Sequence, residues 1–113
     1  MGIVYDKYPL YNLIFNLLLD TLPRLRKFPK DQRYLLAQRI ENLQLDLLEK
    51  SQEAILFPSN RVALVKDINC KLDVLRSLYR LAYYFRFISA KGYGAVIDQI
   101  EKIGLTAGGW IKK

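Results

Sequence analysis

Pro9-Leu10-Tyr11-Asn12-Leu13-Ile14-Phe15-Asn16-Leu17-Leu18-Leu19-Asp20-Thr21-Leu22 is the stretch that decides the fold. Leu10, Leu13, Ile14, Leu17, Leu18 and Leu22 recur every three or four residues, which is the period of one helix face and not the alternation of a strand. Pro9 suits the first turn, where its missing N–H has no partner to lose. Pro23 sits late in the run, so this first helix is predicted to kink or fray there. It should stop before Phe28-Pro29, because a residue preceding proline avoids helical geometry.

The same period returns three times. Asp31 is the predicted N-cap of a second helix, with a spine of Leu36, Ile40, Leu43, Leu47 and Leu48 running toward Ile55 and Leu56 and an end at Pro58. Ser59 or Asn60 is predicted to cap a third. Its positions Leu64, Ile68, Leu75, Leu78, Ala82, Phe85 and Ser89 keep register until Lys91-Gly92-Tyr93-Gly94 breaks it, a helix of about eight turns. A fourth carries Val96, Ile97, Ile100, Ile103, Ala107 and Ile111. Gly104 and Gly108 fall on one of its faces, and a helix-interior glycine costs about 1 kcal/mol, so a close neighbouring helix is predicted there. Short connections return each helix beside its predecessor. The expected fold is therefore all-α: a single antiparallel up-down-up-down four-helix bundle over residues 1–113.

Composition narrows the function. With 51% apolar residues in 113, the chain can bury one core without staples. Its single cysteine, Cys70, can form no intrachain disulfide, and it is expected as a small buried hydrophobe in a reducing compartment, the cytoplasm. The absence of histidine removes the commonest general base and the commonest metal ligand together. Glu49 and Glu53 lack the Glu-x-x-His partners of a di-iron bundle, and the glycines are not spaced as a phosphate-cradling loop. No catalytic residue, metal or cofactor is expected, and binding is favoured over catalysis. Leu13 to Leu19, interrupted by Asn16 and ended by Asp20, is too short to span a bilayer and lacks the flanks of a signal peptide.

The net charge of +7 gains meaning from where it falls. In the expected topology Arg24, Arg26, Lys27, Lys30, Arg33, Arg86 and Lys91 meet at one pole, with Asp31 the acid among them. The other pole mixes signs, with Asp6, Glu49, Glu53 and Asp67 among Lys7, Lys50, Arg61, Lys66, Lys112 and Lys113. Such a tip can neutralise phosphates without reading sequence, since it presents no helix shaped for a groove. On the third helix, Arg76, Arg80, Tyr83, Tyr84, Phe87 and Lys91 share the face opposite Leu78, Leu81 and Phe85. Arginine interleaved with aromatics is the composition of protein interfaces and of single-stranded nucleic-acid platforms. Tyr83 and Phe87 are expected in an oligomer contact, and Trp110 as a packing or interface anchor.

Four stretches carry a resemblance: Phe28-Pro29-Lys30-Asp31-Gln32-Arg33-Tyr34, Leu78-Tyr79-Arg80-Leu81-Ala82, Ile103-Gly104 and Gly108-Gly109-Trp110-Ile111-Lys112. In order and spacing they are similar to the accessory variability determinant (Avd) proteins of diversity-generating retroelements, over nearly the whole chain. The resemblance implies a four-helix bundle that assembles as a ring-like homopentamer with a basic surface and has no enzymatic activity. It implies binding to the element's reverse transcriptase, and to RNA and DNA with little sequence preference, in support of mutagenic copying of a template repeat into a variable gene. Carried over by position, Arg76, Arg80 and Arg86, with Arg24, Arg26 and Arg33, would face reverse transcriptase or nucleic acid. The same superfamily includes proteins encoded in intervening sequences of bacterial 23S ribosomal RNA genes. Those usually open with an aromatic-rich, Trp-containing first helix that is not seen here, and they would imply a structural or RNA-associated bundle without a polymerase partner. A third reading is a subunit of an enzyme whose chemistry lies in another chain.

Overall fold

The computed structural model of the chain describes residues 4–111 and is all-α, with no strand among them. Four helices make up the body: α1 Pro9–Leu25, α2 Gln38–Leu56, α3 Arg61–Tyr84 and α4 Ala90–Ile111. Contacts link α1 with α2, α2 with α3, α3 with α4 and α4 back to α1, so the four close around one core. Lys112 and Lys113, expected at the mixed pole, lie outside the described residues.

Local sequence explains most of the boundaries. Pro9 opens α1 as expected, and α1 ends at Leu25, within two residues of Pro23. The entry to α2 departs from expectation. Pro29 leads into a tight 3-10 turn, Lys30–Gln32, and then a wide π-helical turn, Arg33–Ala37, before α2 begins. Asp31 falls inside the tight turn and makes no capping hydrogen bond, because the chain is already turning when it reaches that residue. Pro58–Asn60 form another tight turn before α3. There neither Ser59 nor Asn60 supplies a side-chain cap. Instead Arg61 Nε donates to the Ala54 carbonyl at 3.0 Å, satisfying an orphan acceptor at the end of α2.

The core stripe of α3 is Val65, Ile68, Leu72, Leu75, Tyr79 and Ala82, all fully buried. Leu78, Leu81 and Phe85 are expected on the inner face. Leu78 is half-buried, while Leu81 is 45% exposed and Phe85 56%. A tyrosine can take the inner place because its hydroxyl is satisfied there. Tyr79 Oη donates to Gln44 Oε1, Gln44 Nε2 donates to Thr21 Oγ1 at 2.8 Å, and Thr21 Oγ1 donates to the Leu17 carbonyl at 2.7 Å. This fully buried chain ties α1, α2 and α3 at one level, and a paired polar group in an apolar core fixes register because any slip would strand it. Cys70 is exposed, not buried; at two residues from Ile68 and from Leu72 it lies on the far side of the helix.

The glycines also sort differently from expectation. Gly108 has open space where a side chain would stand, and at Gly104 a methyl group would meet Arg76 and Leu72 only at ordinary contact distance. Neither marks a tight helix crossing. The close approach is at Gly92, where a Cβ would lie 2.7 Å from Arg24 Nη1 and 3.2 Å from Ile88.

Burial, the dominant cause, holds the Tyr79 hydroxyl well above the usual tyrosine range. An unfolded tyrosine ionises near pH ~10, so above that the folded state holds the extra proton and stability falls as pH rises. Tyr79→Phe leaves the Gln44 acceptor unpaired and should cost about 1–3 kcal/mol at neutral pH. Urea unfolding should show the wild-type advantage narrowing above pH ~10. An equal advantage at both pH values would place the hydroxyl in solvent.

Candidate nucleic-acid interface

α3 ends at Tyr84 and not at the glycines near residue 92, and the way it ends builds the tip. Phe87 N–H donates to the Ala82 carbonyl at 2.8 Å and Arg86 N–H to the Tyr83 carbonyl at 2.9 Å. Those two bonds define a left-handed helix terminus, a place normally given to glycine. Arg86 occupies it with φ 62°, alone among the described non-glycine residues in having positive φ. Ser89, expected in the apolar spine of α3, instead caps α4: its Oγ accepts from Gly92 N–H at 3.0 Å. Gly92 and Gly94 therefore lie in α4, and Lys91 stands in its first turn.

Two contacts bring the connection between α1 and α2 against the turn between α3 and α4. Phe28, 1% exposed, packs its ring 5.7 Å from that of Phe87, centre to centre, and the Arg24 guanidinium lies on Gly92. From spacing alone Phe28 marks a helix stop. The signal for its burial was an aromatic residue placed between proline and charge, where no solvent role suits it.

Arg24, Arg26, Lys27, Lys30, Arg33, Arg86 and Lys91 all sit on these two connections and the helix ends beside them. Arg26, Lys27, Lys30, Arg33, Arg86 and Lys91 are exposed, and none has a carboxylate within 4.0 Å among the described residues. Arg24 differs. Its Nε is buried, 3.5 Å from Asp20 Oδ2, and Asp20 also accepts from Gln99 at 2.9 Å. Asp20 and Glu41, which lines a pocket of about 130 Å³ with Arg26 and Arg33, join Asp31 as acids near the tip. Seven cations against three carboxylates still leave it strongly positive. The opposite end pairs off its own charges: Lys50 with Glu53 and Asp67, and Lys71 with Asp67.

The α3 arginines divide. Arg80 is exposed and unpaired among the described residues, one turn before Tyr83 and Tyr84. Arg76 lies away from the tip, joining Asp73 on its own helix to Glu101 of α4, whose Oε1 accepts from its Nε at 2.8 Å. Its charge is balanced within the chain, by two carboxylates at the surface.

The residues expected at an oligomer contact all have intrachain partners. Tyr83 stacks on Tyr93 with rings parallel and centroids 4.7 Å apart. Phe87 lies past the end of α3, half-buried between Phe28 and Phe85. Trp110 packs near Tyr8 and under the Arg61 guanidinium at 4.1 Å. The large side chains left most exposed are others: Tyr34 and Leu35 on the π-helical turn, Tyr84, Leu19 and Leu105.

Against known protein families, residues 11–113 match the one described as bAvd-like. The chain belongs to the bAvd-like family. No curated protein and no solved structure matches it closely. The match takes in all of α2, α3 and α4 and nearly all of α1, so the resemblance read from four short stretches holds over the bundle as a whole. Among the described residues of this bAvd-like chain, no helix is long and apolar enough to cross a membrane, and no three cysteine or acidic side chains are grouped to hold a metal.

A side chain in left-handed geometry costs about 1–2 kcal/mol that glycine does not incur. Arg86→Gly should therefore raise the unfolding free energy by about 1 kcal/mol in urea titration. A loss of stability would show that Arg86 is held by contacts the turn itself requires.

Proposed function

We propose that this chain is a non-catalytic accessory protein of a diversity-generating retroelement, acting in the cytoplasm. Its cationic tip holds RNA and DNA without strong sequence preference and presents them to a reverse transcriptase. One observation carries this reading: six exposed cations without acidic partners among the described residues stand on two connections clamped together by Phe28 and Phe87. Lysine and arginine so placed neutralise phosphates and release counterions, giving affinity that ignores base identity.

The arrangement behind that tip is an antiparallel up-down-up-down bundle. Contacts of Tyr8 with Trp110, Asp20 with Gln99 and Arg24 with Gly92 support that sense for α1 and α4, and Arg76 with Glu101 and Tyr83 with Tyr93 for α3 and α4. Membership in the bAvd-like family supports an accessory role beside a polymerase over a bundle with no such partner. Assembly as a homopentamer would cover apolar side chains such as Leu19 and Leu105 and multiply the phosphate affinity of a single tip by avidity. Arg80, exposed and without a carboxylate partner among the described residues, is the residue for the polymerase contact.

The test is salt. If about five cations neutralise phosphates of a single strand, affinity should fall roughly 100-fold between about 50 and 200 mM salt. Changing Lys27, Lys30 and Arg33 together to Glu should flatten that slope in filter binding, and lower recovery of a retroelement reverse transcriptase only where RNA bridges the two. Binding indifferent to salt would remove the phosphate-holding role.

A further inference from the structure

We propose that the cleft where α3 turns into α4 stacks bases of single-stranded nucleic acid, with Tyr84 supplying a ring face and Arg86 holding the adjoining phosphate. This rests on the polyanion reading of the tip and adds that bases, not phosphates alone, are held.

The cleft has a volume of about 680 Å³ and is lined by Tyr83, Tyr84, Arg86, Phe87 and the segment 88–90. That is within the roughly 300–1,000 Å³ of sites that take small molecules. Among the described residues no carboxylate lines it, and Arg86 does. Tyr84 is 78% exposed, and its one ring contact is edge-on to Phe85, with an interplanar angle of 80°. No ring is stacked parallel on it. Tyr83 beside it is already in a parallel stack with Tyr93, which makes a firm wall of the cleft.

Arg86 separates a nucleic-acid occupant from a protein one. Its left-handed backbone would cost less with glycine, and its side chain meets no carboxylate among the described residues. The turn thus keeps a cation against its own local stability, in the middle of an aromatic cleft. An apolar side chain from a partner protein would use Tyr84 and Phe87 but gain nothing from Arg86 or from the free Lys91 next to the cleft. A strand of nucleic acid uses both: every base offers a π-face to an aromatic ring, and every linkage offers a phosphate.

Fluorescence anisotropy on the full chain can compare a deoxythymidine oligonucleotide about 20 nucleotides long with an abasic oligonucleotide of equal length, which keeps the phosphates and removes the rings. The expected preference for the base-bearing strand is about 5- to 100-fold. Tyr84→Ala should erase it and Tyr84→Trp should keep it. Arg86→Gly should weaken both strands while leaving the protein no less stable. Equal binding of the two strands by the wild type, or a preference that survives Tyr84→Ala, overturns the proposal and leaves the cleft to an apolar group of a protein partner. Binding of neither strand overturns the polyanion reading itself, a different failure from the first.

Discussion

The ring of Phe28 against that of Phe87 is the contact on which the rest depends. Neither residue lies in a helix, and both sit where charged, turning chain would otherwise drift in solvent. Burying Phe28 at this point pins the connection after α1 to the turn after α3. The like charges on the two segments repel one another, so without an apolar anchor the cheapest arrangement would separate them. The aromatic contact holds the repulsion in place, and a concentrated positive tip is the consequence.

The second constraint is inside. A core of leucine and isoleucine alone tolerates slips of one helix along another, whereas the Tyr79–Gln44–Thr21 chain does not, because every slip strands a buried polar group. It sets the rotation of α3, with Tyr79 inward and Leu81 and Phe85 outward. That rotation then decides which aromatics reach the surface beside Arg86. Core register and surface chemistry are two faces of one choice.

Periodicity made four helices legible, and three of the four core stripes with little error, because apolar spacing is what burial acts upon. α3 was misread by about one position. Hydropathy puts leucines inward and tyrosines outward, and Tyr79 reverses that rule only because Gln44, far away in sequence, accepts from its hydroxyl. The end of α3 was misplaced for a related reason. Glycines at 92 and 94 looked like a stop, while the residue in the left-handed stop position is an arginine, which propensity never nominates. Cys70 was drawn into the core by neighbouring apolar residues although its phase puts it outside. Of the candidate site, the cations of the two connections were legible from charge and order alone. Arg76 was not separable from Arg80, since its balance by Glu101 is a contact across 25 residues. The carboxylate of Asp20 beside Arg24 was readable, at a spacing of four, and was overlooked.

A concentrated positive tip requires the two connections to be held together, and a double-mutant cycle on Phe28→Ala and Phe87→Ala measures that directly. Unfolding free energies should show the pair costing less than the sum of the singles, with a coupling of about 0.5–1.5 kcal/mol for a packed aromatic pair. Strictly additive costs would mean that the rings do not meet, and that the lysines and arginines they carry share no common surface.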